Sequence, residues 1–118
     1  MTDIEVARAA ILDLGSEDYY HLGDAAVYLP TIAEDRRADV AREAMRELLN
    51  EGLVRLYLGV FATKDLKVLP LEQALRVLDD ASAWDAEATY PKAYCFLNTH
   101  AGDAVSRRAG TGPNSSLH

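Results

Sequence analysis

A helical pattern runs into a strand pattern across one glycine between Asp35 and Phe61, and the rest of the chain is read around that junction. Val40, Ala41, Ala44, Met45 and Leu48 recur at helical spacing and form a single apolar stripe. Asp35 suits the N-cap, where a side-chain oxygen can accept from an orphan backbone N–H. Gly52 follows the last helical turn, where a left-handed residue ends a helix at little steric cost. From Leu53 to Phe61 the apolar and aromatic content rises and the period shortens, as in a strand. Leu56, Leu58 and Val60 alternate there with Tyr57 and Phe61, so both strand faces are apolar and something must cover at least one.

The rest of the chain arranges itself around this junction. Residues 3–14 read as a first helix, opened by the capping-box sequence Thr2-Asp3-Ile4-Glu5, striped by Ile4, Ala7, Ile11 and Leu14, and closed by Gly15. Tyr19–Leu29 reads as a short second helix with Leu22, Ala25, Ala26 and Leu29 inward and Pro30 beyond its end. Residues 69–78 read as a further helix with Pro70 in its first turn and Leu71, Ala74, Leu75 and Leu78 on one face. Asp79–Pro91 is an acidic connector containing Trp84, and Ala93–Asn98 is a second strand. Thr99 would then cap a brief last helix ending near Arg108, with Gly102 allowing close packing.

The order helix, helix, turn, helix, glycine, strand resembles a winged helix-turn-helix domain of the MarR or PadR kind. Phe96-Leu97-Asn98-Thr99-His100-Ala101-Gly102 is similar to the sequence that follows the wing in those families. The resemblance spans residues 3–61 and 93–108. It implies an α+β fold with three N-terminal helices, a two- to three-stranded antiparallel wing and a short C-terminal helix. Where those families carry a short hairpin, this chain has residues 62–92, an enlarged wing with a helix near 70–80. Residues 1–108 are expected to form one domain, and the Gly-, Ser- and Asn-rich stretch 109–118 a disordered tail.

Length and composition bound the function. A chain of 118 residues, 49% hydrophobic and 26% charged, fits a single soluble domain. No apolar run approaches the roughly 20 residues a bilayer helix needs. Met1–Glu5 lacks the basic start and apolar block of a secretory signal, so the expectation is a cytoplasmic protein, and the sequon at Asn114 carries no weight. The net charge is −7. It is distributed as −5 over residues 1–30, −2 over 31–51, +2 over 52–70, −4 over 71–90 and +2 over 91–118. Proteins that live on the phosphate backbone carry the opposite field.

Catalytic chemistry has little footing. His21, His100 and His118 share no metal-ligand spacing with each other or with Cys95, which sits in an apolar strand pattern as a buried thiol. Glu17-Asp18 and Asp79-Asp80 are adjacent residues that point apart, unlike a proton-sharing pair. Gly110-Thr111-Gly112 lacks the strand and helix of a phosphate-binding loop. No catalytic residue, metal or cofactor is expected.

Two binding functions follow. The winged-helix resemblance implies a DNA-binding transcriptional regulator, read by Arg36, Arg37, Arg42 and Arg46 on the third helix with Lys64 and Lys67 of the wing. Those regulators dimerise through long terminal helices, which this chain lacks, so a homodimer stays open. Against DNA, Asp39 and Glu43 alternate with Arg42 and Arg46 at ion-pair spacing. With the negative charge, this favours a protein that binds a basic protein partner, as an adaptor or an inhibitor of the immunity-protein kind. Trp84, Asp79, Asp80 and Asp85 are the candidate contacts, Trp84 being an anchor residue type.

Overall fold

The computed structural model describes residues 2–29, 31–60 and 65–109. It is an α+β fold with a four-stranded antiparallel sheet among the described residues. The elements are α1 (Asp3–Gly15), β1 (Tyr20–His21), α2 (Asp24–Val27), α3 (Glu34–Asn50), β2 (Val54–Val60) and β3 (Leu66–Val68). There follow α4 (Leu71–Leu78), a 3-10 turn (Ala81–Trp84), α5 (Ala86–Thr89), β4 (Lys92–Asn98) and α6 (His100–Ala109). The strands lie in the order β1-β4-β2-β3. Leu56 faces Phe96 at the centre, and Tyr20 faces Phe96 from the other side.

Helices cover one sheet face. Phe96, Leu56 and Val54 meet Ile11 of α1, Leu22 and Leu29 around α2, Met45 and Leu48 of α3 and Leu78 of α4 in one core. Thr2 caps α1 as its sequence demands, its hydroxyl accepting from Glu5 N–H at 3.1 Å. Gly52 has φ +71°, the left-handed turn that releases α3 into β2. Gly102 sits against the Leu53 carbonyl, where a Cβ would collide, so α6 can seat only with glycine there. Thr99 ties the same corner: its hydroxyl donates to Gly52 O at 2.7 Å and accepts from Gly102 N–H at 3.1 Å.

Four expectations need correction. The stretch 19–29 is not one helix. Tyr20–His21 pairs with Cys95–Phe96, and only Asp24–Val27 is helical. Asp35 is not the cap of α3, which begins one residue earlier, after Ala33, without a side-chain cap. Leu71, expected on the buried face of its helix, is 47% exposed, and Pro70 precedes α4 instead of lying in its first turn. The acidic connector after Asp79 holds a 3-10 turn and α5. Pro30, Phe61, Lys64 and the tail 110–118 lie outside the described residues.

Candidate functional site

The arginines of α3 are the first candidate surface, and each described one has a partner. Arg36 pairs with Asp3 of α1 at 2.7 Å. Arg37 donates from Nε to the Ile32 carbonyl at 2.8 Å, folding back over the helix start. Arg42 lies 3.5 Å from Asp39. Arg46 donates to Asp79 at 2.8 Å and lies 3.8 Å from Glu43. A surface with such internal pairs presents little uncompensated positive charge. The segment of α3 that holds Arg46 is also flanked, because α4 packs alongside it and brings Asp79 to it. The Arg46 side chain is only 30% exposed. Elsewhere on α3, Arg8 of α1 reaches Glu47 at 2.7 Å and is bidentate on Glu51, just past the helix end. That bond holds the Glu51 carboxyl below its usual range and the Arg8 guanidinium further above its own.

The candidate contacts in the connector serve their own chain. Trp84 is half-buried and packs on the core, with its indole N–H donating to the Leu78 carbonyl at 3.0 Å. Asp80 caps the 3-10 turn by accepting from Ser82 N–H at 3.0 Å. Asp85 caps α5 by accepting from Glu87 N–H at 3.0 Å. Asp79, Asp80 and Asp85 are exposed, and Trp84 keeps part of its surface open to solvent while its indole N–H is engaged. The structure thus brings Asp79 and Arg46 of the two candidate sets together, and leaves exposed Lys67 apart on the sheet edge. Leu71, Val68 and Leu69 border a cleft of about 450 Å³ with Leu49, Val54 and Ala74, where α4 roofs the start of β2. The inserted helix therefore covers β2, as the two-faced apolar strand required.

Two groups escaped the sequence. His21 lies in β1, and its Nδ1 accepts from Gly23 N–H at 3.0 Å, which places the imidazole proton on a buried Nε2 without a partner. Burial lowers its pKa, against the pull of Asp24 and Asp85. The second is β3, beyond which no further strand lies among the described residues. Its alternating Asp65-Leu66-Lys67-Val68 was a usable strand signal. Cys95 is half-buried, and burial raises its thiol pKa, the reverse of an activated nucleophile. Among the described residues no three His, Cys, Asp or Glu gather as a metal site, and no helix is long and apolar enough to cross a membrane.

No protein-family model matches the chain, and no curated protein or solved structure does.

Proposed function

We propose that this chain is a non-catalytic acidic winged-helix domain that acts by binding a basic protein. The order helix, short strand, helix, helix, strand and strand, with β4 between β1 and β2, supports the winged-helix reading. The internal pairing of the α3 arginines carries the choice of partner. The major groove admits one helix of about 10–12 Å diameter. A helix flanked by α4 and neutralised by Asp3, Asp39 and Asp79 is poorly suited to enter it. Outside the ion pairs, exposed Asp80, Asp85 and Glu87 leave the connector negative and able to steer a cationic partner.

The test sets the two readings against each other. The purified protein is titrated into a labelled duplex pool at physiological salt, and an immobilised copy is used to capture partners. A captured basic protein that rebinds in purified form, and weakens when Asp80 and Asp85 are replaced by lysine, supports the proposal. Capture of no protein, with a duplex shift that falls steeply with salt and is lost in Arg42→Ala, overturns it in favour of a DNA-binding regulator.

A further inference from the structure

β3 is one edge of the sheet, with no strand beyond it among the described residues. Leu69 N–H donates to the Leu56 carbonyl at 2.9 Å, and Lys67 stands opposite Leu58. In an antiparallel ladder these facts fix the alternation: the backbone groups of Lys67 turn toward β2, and those of Leu66 and Val68 turn outward. Leu66 and Val68 are 38% and 43% exposed, and Asp65 and Lys67 are exposed too. An open edge of this kind is a template for another strand unless something blocks it.

We infer that this edge pairs with the same edge of a second copy, antiparallel about a two-fold axis through Leu66. Registers centred on Leu66, Lys67 and Val68 bring outward backbone groups together, and the last sets Leu66 opposite Pro70, which has no N–H to donate. Centring on Lys67 sets that lysine opposite its own copy, and directly opposed like charges destabilise. Centring on Leu66 sets Asp65 of each chain opposite Lys67 of the other, with Leu66 against Leu66 between them. Each chain then donates Leu66 N–H to the partner's Leu66 carbonyl. The short strand is thus self-complementary in charge in one register and self-repelling in another. The joined sheets run on as β1-β4-β2-β3 and its mirror order, and the contact is isologous, so it closes at a dimer. This pairing is independent of what the acidic connector binds.

Sedimentation of the full chain from about 10 µM to about 1 mM tests it, a range suited to an interface this small. The expected result is an average mass rising toward that of a dimer, with Leu66 amide exchange slowing as concentration rises. Lys67→Asp alone, and Asp65→Lys alone, replace both attractions by repulsions and should each weaken self-association about tenfold. Mixed together, the two variants place lysine opposite aspartate again, and should associate as a heterodimer where neither associates alone. Wild-type protein that stays monomeric across the range overturns the inference. So does a dimer indifferent to Lys67→Asp, or a mixture that fails to restore association while both variants keep the wild-type melting temperature.

Discussion

The C-terminal half of α3 and the β3 edge both carry cations on a chain of net charge −7, and the fold treats them in opposite ways. Arg46 is half-covered, pairs with Asp79 and lies beside a packed helix. Lys67 stands exposed on a sheet margin, in the outermost described strand. The difference shows that position in the layers, more than residue type, decides whether a charge faces outward. A helix in the middle of a fold collects partners from α1 and α4, whereas an edge strand has a neighbour on one side only.

Mutations can widen or close that contrast. Leu48→Ala, beneath α3 at 0% exposure, should cost about 3 kcal/mol, and Leu66→Ala on the edge less than about 1 kcal/mol. Urea unfolding measures both, and equal losses would erase the distinction. Gly52→Ala forces a side chain into φ +71° at the end of α3 and should cost about 1 kcal/mol, visible as a lower urea midpoint. Arg46→Ala removes the α3–α4 pair and should cost roughly 0.5 kcal/mol, less at high salt.

The smallest effect is one of pH. His21 has a lowered pKa in the fold, so the folded state binds fewer protons than the unfolded chain once pH falls below the free imidazole value of about 6.5. Its contribution is therefore full above that value and is lost as pH falls through the lowered one. Between pH 7.5 and 5.5 the wild type should lose less than about 1 kcal/mol more than His21→Gln. Unfolding midpoints at those two pH values check the sign; a wild type that gains stability on acidification would reverse it.

What was legible in the sequence follows the same divide. The helix Glu34–Asn50, its glycine stop and the strand after it show in local period, because the pattern and its burial lie within one stretch. The helix Leu71–Leu78 was readable for the same reason, with Ala74 and Leu78 buried, although it starts after Pro70 and leaves Leu71 exposed. Tyr20–His21 was misread as helix because its strand identity comes from Cys95 and Phe96, far along the chain. The internal pairs Asp39–Arg42 and Glu43–Arg46 were readable at their spacing, but Asp3–Arg36 and Asp79–Arg46 need the packing of α1 and α4. Trp84 stood out by type alone, and only the Leu78 carbonyl reveals that its indole is already engaged.

The hydroxyl of Thr99 on the Gly52 carbonyl joins two points 47 residues apart. The bond closes a loop that contains β2, β3, α4, α5 and β4. That span is no appendage: Leu56, Leu78 and Phe96 within it share one core with α1–α3, and Asp79 pairs with Arg46, so a loosened corner would be felt in the helices outside it.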